Sequence, residues 1–307
     1  MSKQAIFDQI SPITLGTVQL GLDYGIANQR GKPDDAAGRA LLSRAVQLGI
    51  TSFDTASQYG ASESVLGQYF RDRDKPLIIS KFKLSPATGD DPDAVERDVR
   101  RQLEQSLNRL GLSSMPIYML HQVQDLVQHR TALIACLQRL VNEGLIGLCG
   151  VSVYRAADLD LMLQDDLFQA TQLPVSIFDQ RLFHSGHLMR LQQSGRIVFA
   201  RSIFLQGLFF VDPAALPAGL AAAAPYLTGL HRLAKAENIS VAQLALSFVR
   251  DLPGISSLVI GAETAAQVED NIKLLRGPAI SADGRLAAQE LFAHIPETIL
   301  NPALWAK

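Results

Sequence analysis

Ile50-Thr51-Ser52-Phe53-Asp54-Thr55-Ala56-Ser57-Gln58-Tyr59-Gly60 is the stretch from which the fold can be read. A short apolar run ends in an aspartate, and a polar segment carrying a tyrosine and a glycine follows at once. The preceding Gln47-Leu48-Gly49 supplies a glycine suited to a helix C-terminus, and Asn142-Glu143-Gly144-Leu145 repeats that signal. Similar short apolar runs recur along the chain. They predict strands at Ile13–Val18, Ile50–Asp54, Leu77–Ser80, Ile117–Leu120, Leu148–Val151, Thr171–Val175, Ile197–Ala200 and Ser257–Ile260. Between them lie helical patterns. In Ala94–Leu110, Val95, Val99, Leu103, Leu107 and Leu110 recur at three- and four-residue steps, and Thr131–Glu143 repeats the pattern with Leu133, Leu137, Leu140 and Val141. Ser240 is placed to cap a helix over Ser240–Asp251.

Strands alternating with helices, without a break in composition, predict a parallel sheet closed into a (β/α)8 TIM barrel. An open doubly wound sheet is the competing architecture. Gly16, Gly21 and Gly25 after the first strand are too widely spaced for its dinucleotide-binding turn. The 307 residues suit one barrel domain spanning 1–307. The connection from Phe204 to Asn238, with the low-complexity run Pro213–Pro225, is longer than the others. It reads either as an excursion over the mouth of a site or as an ordinary loop.

The chain is 48% hydrophobic and 19% charged, with a net charge of −2, which gives no electrostatic footprint for nucleic acid or an anionic membrane. No run approaches the roughly 20 apolar residues of a membrane span, and the N-terminus lacks a signal-peptide pattern. A cytoplasmic protein is expected. Cys136 and Cys149 sit in apolar surroundings without metal-ligand spacing and read as reduced core residues.

In a barrel of this kind, chemistry sits at the C-terminal ends of the strands. Asp54, Tyr59, Lys81 (in Ser80-Lys81-Phe82) and His121 (in Leu120-His121-Gln122) all fall there. Each has a structural explanation alone: a helix cap, a loop aromatic, a solvated charge, a satisfied interior histidine. Together they suit carbonyl reduction, because hydride addition leaves an alkoxide that needs a proton from a nearby acid. A free tyrosine has a pKa near 10. A lysine ammonium beside it favours phenolate, and an aspartate keeps a buried lysine charged.

These residues, with Leu15-Gly16-Thr17, Phe53-Asp54-Thr55-Ala56, Tyr59-Gly60, Ser62-Glu63, Gly150-Val151-Ser152, Gln172, Ser202 through Leu208, Val259-Ile260-Gly261-Ala262 and Gln267 through Asn271, resemble the aldo-keto reductase signatures in kind and order. The resemblance covers about residues 12 to 275. It implies an NAD(P)H-dependent reductase with Tyr59 as general acid/base, Lys81 and Asp54 tuning it, and His121 orienting the carbonyl. It places Ser152 and Gln172 on the nicotinamide carboxamide, Ser202, Leu205 and Gly207 around the pyrophosphate, and Asn271 on the adenine, with Gly16 and Thr17 in the first cofactor-binding segment. NADP is the family default. Arg201 stands where an aromatic ring often stacks on the nicotinamide, and Val153 where an asparagine is common. Gly261, Glu263 and Gln267 replace the cations that usually bind the 2′-phosphate, which leans toward NAD or dual use, unless Lys273, Arg276 or a loop supplies the charge.

Gln19 through Asn28 looks like the form found in bacterial aldo-keto reductases encoded alongside surface-sugar biosynthesis. Asp23, Tyr24 and Asn28 then line a pocket for a polyhydroxylated substrate, or simply make a rim loop. Phe82, Phe178 and Phe204 are pocket walls or barrel packing. The partner is a small carbonyl or alcohol, and the chain is expected to be a monomer or weak homo-oligomer. Two other readings compete: an aldolase-type barrel with Lys81 as Schiff-base lysine, and a nicotinamide-binding sensor or regulatory subunit with little turnover.

Overall fold

The computed structural model describes residues 2–26, 28, 31–89 and 91–305; Ala27, in the predicted rim loop, lies outside the described residues. Eight parallel strands close into a barrel in chain order. They are β1 (Ile13–Gly16), β2 (Ser52–Asp54), β3 (Leu77–Phe82), β4 (Met115–Leu120), β5 (Ile146–Ser152), β6 (Phe168–Pro174), β7 (Ile197–Arg201) and β8 (Ser257–Gly261). The ring is closed by β1 against β8, with Gly16 opposite Gly261. Every predicted strand exists, with shifted ends. β2 starts at Ser52 because the Ile50 amide instead bonds the Ala45 carbonyl at 3.0 Å, closing the preceding helix over Gly49 at φ +87°. β1 stops at Gly16 because Val18–Gly21 winds into one helical turn.

The alternation of side chains along each strand sorts the residues into two cores. One parity (Ile13, Leu15, Phe53, Ile78, Tyr118, Cys149, Val198, Leu258 and Ile260) packs against the helices. The other (Leu77, Ile79, Ile117, Met119, Leu148, Ala170, Ile197 and Phe199) forms the second, separate core inside the barrel, and Ile6 of the helix Lys3–Phe7 packs with it. The β8–β1–β2 side of the interior is filled differently. Thr14 Oγ1 lies 2.8 Å from Ser52 Oγ and 2.7 Å from Ser257 Oγ, and Ser257 donates to the Ser11 carbonyl at 2.7 Å. Buried hydroxyls there satisfy one another.

The helix Pro92–Leu110 buries the predicted Val95, Val99, Leu103, Leu107 and Leu110. Asp91 caps it by accepting from the amides of Asp93 and Ala94. The helix predicted from Thr131 instead begins at Val123 and runs to Asn142, with a break at His129 (φ −125°). That break interrupts the apolar period, so only the second half is legible. Ser240 caps its helix as expected. Both cysteines are free and buried. The run Pro213–Pro225 folds into short 3-10 turns and the start of the helix Ala224–Ala236. Among the described residues no helix is long and apolar enough to cross a membrane.

Truncating Ile117 to alanine inside the barrel is expected to cost about 2–5 kcal/mol in urea denaturation. The same change at Val127, 60% exposed, should stay within about 0.5 kcal/mol. Equal losses would contradict the two-core arrangement.

Candidate active site

The inner parity of the strands ends in a ring of polar or small residues: Gly16, Asp54, Lys81, Ser152, Gln172, Arg201 and Gly261, with His121 one step past β4. At the centre Lys81, with no exposed side-chain area, donates from Nζ to Asp54 Oδ1 at 2.6 Å and to the Thr55 carbonyl at 2.9 Å. Asp54 Oδ1 also accepts from Gln172 Nε2 at 2.8 Å. Thr17 secures this strand end, its amide and hydroxyl donating to the Asp54 carbonyl at 2.9 and 2.8 Å. Burial pulls the Lys81 pKa down, and the Asp54 carboxylate pushes it back up.

Tyr59 is held above this pair by its loop. The Tyr59 amide bonds the Ala56 carbonyl at 3.0 Å, and the Ser62 amide bonds the Tyr59 carbonyl at 3.0 Å. Gly21 packs directly on that carbonyl: a Cβ at position 21 would sit 1.8 Å from the oxygen. Lys81 Nζ lies 4.9 Å from the centre of the Tyr59 ring, and His121 meets the ring edge-on at 5.6 Å. The ammonium thus faces the ring, and the phenol pKa stands above its ordinary value. Burial is the main cause and the Asp54 charge the second, opposed by Arg201. The expectation of a lowered Tyr59 pKa is therefore reversed. His121 is pushed down to about 3 by burial, then by the charges of Lys81, Arg201 and Lys83, so its imidazole is neutral at pH 7.

These groups open onto a cleft of about 410 Å³. It runs from Asp54, Tyr59 and His121 past Ser152, Gln172 and Arg201 to Gly261, Glu263, Gln267 and Asn271, with Gly16, Thr17, Ser202 and Gly207 along its sides. Of the predicted site residues, Lys81 and Leu205 stay off the lining: Lys81 lies beneath Asp54, and the Leu205 side chain is in the core. The backbone around it is unusual. Ser202, Leu205 and Gln206 have φ of +65°, +47° and +53°, and Gly207 follows at +90°. Left-handed conformations cost energy in non-glycine residues and concentrate at functional sites.

Tyr24, Asn28 and Phe204 line the cleft as anticipated. Asp23 instead accepts from the Lys32 amide at 2.7 Å. Phe82 has the helix-facing parity and stacks on Tyr118 at 4.6 Å, while Phe178 packs among Phe209, Phe292 and Tyr226. None of Pro213–Pro225 reaches the cleft among its described lining residues. Nor do Lys273 and Arg276; Lys273 Nζ pairs with Asp270 at 2.9 Å.

Sequence reasoning missed Gln19, Tyr154, Gln206, Phe210 and Asp270, all on the lining. The Arg201 guanidinium lies 4.2 Å over the Tyr154 ring, and Gln206 Nε2 donates to Tyr24 Oη at 3.0 Å. Tyr154 and Gln19 sit two residues beyond Ser152 and Thr17 respectively, and that proximity was the available signal. Phe210 belongs to an irregular turn without periodicity.

Replacing Lys81 with methionine strands the buried Asp54 carboxylate. The expected cost is about 3–5 kcal/mol in urea denaturation, part of which returns when Asp54 is changed to asparagine in the same chain. A fully stable single variant would show that the pair does not hold this floor together.

Comparison with known proteins identifies the family. The family model described as the aldo/keto reductase family matches residues 12–283. The L-glyceraldehyde 3-phosphate reductase of Escherichia coli is 26% identical, with 96% of this chain and 92% of that protein covered. The holo form of an aldo-keto reductase from Bacillus halodurans superposes with a TM-score of 0.73 at 21% identity, covering 92% of each chain. An aldo/keto reductase from Klebsiella pneumoniae in complex with NADP and acetate gives 0.68 at 24% identity, also over 92% of each chain. The chain belongs to the aldo/keto reductase family.

Proposed function

We propose that this aldo/keto reductase, working as one domain over residues 1–307, reduces the carbonyl of a small aldehyde, ketone or sugar-like substrate using a nicotinamide dinucleotide bound in the cleft. The observation that carries the reading is the convergence of Asp54, Lys81, Tyr59 and His121 at a cleft of about 410 Å³ whose lining continues to Glu263 and Asn271. The residues present fit the cofactor: polar strand ends lie at the reactive end, and the left-handed Ser202–Gly207 backbone lies along one side. When bound, the dinucleotide supplies the hydride.

The protein's part is to orient the carbonyl and manage one proton. Neutral His121 can donate a hydrogen bond to the carbonyl oxygen without competing as an acid. Tyr59 keeps its proton until the oxygen becomes an alkoxide, a far stronger base than phenolate, and then gives it up. The charge left on the phenolate faces Lys81, which Asp54 keeps charged. Ser152 and Gln172 fit the carboxamide of the nicotinamide, Asn271 fits the adenine, and Arg201, at the nicotinamide end, disfavours its cationic oxidised form. At the other end Glu263 and Asp270 line the cleft, and no lysine or arginine lines it there among the described residues. An acidic lining repels a 2′-phosphate, so NADH should bind at least as tightly as NADPH. Titrating the two in parallel tests this, and a clear preference for NADPH would refute it.

Tyr59→Phe should lower carbonyl turnover by about 10²–10⁴-fold while leaving cofactor affinity near wild type. Unchanged turnover would remove Tyr59 from the chemistry, and absence of turnover in the wild type would favour a sensor. The pH profile follows from the same groups. Reduction should hold steady from pH 7 down to pH 5, because His121 takes up a proton only near pH 3. Alcohol oxidation needs the phenolate, and a raised Tyr59 pKa means this form gains tenfold per pH unit through the alkaline range. A plateau in oxidation near pH 7 would contradict the raised value.

A further inference from the structure

Among the described residues, two buried side-chain polar atoms have no hydrogen-bond partner: Tyr118 Oη, between the barrel and its helices, and Gln19 Oε1. Gln19 is only 9% exposed, and it lines the cleft. Leaving a buried amide oxygen unpaired is costly, and such a group in a native structure calls for an explanation.

Its surroundings supply one. Gln19 lies three residues beyond the end of β1, where Gly16 pairs with Gly261 of β8. The Gln19 carboxamide packs flat on Gly261: a Cβ there would sit 2.3 Å from Nε2 and 2.6 Å from Oε1. Position 261 is thus glycine because the amide occupies the space a side chain would need. A lysine or arginine at 261 would have to displace the Gln19 amide, so a cation at that position and this carboxamide compete for the same space.

We propose that Gln19 Oε1 accepts a hydrogen bond from a ribose hydroxyl of the bound dinucleotide, and that Gly261 is glycine to admit it. This inference rests on the reductase reading of the cleft. An orphan acceptor needs a donor, and diphosphate oxygens carry no proton at neutral pH. Gln19 follows β1, which pairs with the Asp54 strand on one side and on the other with β8, whose Gly261 it packs against and which leads on to Glu263, so the carboxamide and adenine amino groups belong to either side of it. The ribose hydroxyls are the donors of the stretch between.

Calorimetric titration of the full chain with NADH, NADPH and ADP-ribose, which lacks the nicotinamide, tests this. Gln19→Met keeps the length of the side chain and removes its polar end. It should weaken all three ligands about fivefold, the worth of one ordinary hydrogen bond, while the melting temperature of the free protein holds or rises. Gly261→Ala pushes the carboxamide aside and should cause the same loss, and the double variant should lose no more than either single one. Wild-type affinity in Gln19→Met overturns the proposal and leaves the reductase reading intact, as does a drop in melting temperature without a drop in affinity. Additive losses overturn the role given to Gly261. A wild-type protein that binds none of the three ligands overturns both readings together, and absent NAD(P)H-dependent turnover would accompany it.

Discussion

An ammonium with no contact with water has to be neutralised where it stands, and the 2.6 Å contact between Lys81 and Asp54 meets that requirement. Much of the upper barrel is arranged around it. Gln172 reaches from β6 to the same carboxylate oxygen, Thr17 ties the end of β1 to the Asp54 carbonyl, and the Thr55 carbonyl takes a second proton of the ammonium. Four strands, β1, β2, β3 and β6, and the loop carrying Tyr59 are thereby fixed relative to one charge pair. The chemistry proposed for Tyr59 would depend on that rigidity, since proton transfer requires the phenol in one place. The ammonium lies against the face of the ring, so its influence should be felt most once the ring carries charge.

The lower barrel solves a different problem with different materials. Its β3-to-β7 side is filled by leucine, isoleucine, methionine and phenylalanine, and its β8–β1–β2 side by threonine and serine hydroxyls in mutual contact. On that side the hydroxyls of Ser11, Thr14, Ser52 and Ser257 bond to one another in place of apolar packing. Above them the inward positions turn to polar side chains and glycines at the strand ends.

What the sequence disclosed follows from how local each signal is. The eight strands were legible because each falls in or beside a short apolar run, and the helix Pro92–Leu110 because its period is unbroken. The helix Val123–Asn142 was half hidden by the distortion at His129. Asp54, Tyr59, Lys81 and His121 could be singled out from strand-end position. The reversed direction of the Tyr59 pKa could not, because it depends on burial and on which side of the ring the ammonium occupies. Phe82 was proposed as a pocket wall without regard to parity: Lys81 beside it points inward, so Phe82 must point out. Gln19 and Tyr154 stayed hidden because their only mark is lying two residues beyond Thr17 and Ser152, and no periodicity shows that those positions turn back to the cleft.

That alternation has an evolutionary side. Along each strand, one set of positions answers only to the surrounding helices and the other only to the interior, whose uppermost members alone meet a ligand. Ser152 and Arg201 line the cleft, while Val151 and Ala200 beside them belong to the outer core, so a change of side chain at the first pair alters the cleft wall without removing an outer-core contact. Recognition and durability are written on interleaved tracks of the same strand, so lineages can diverge along one while the other stands still.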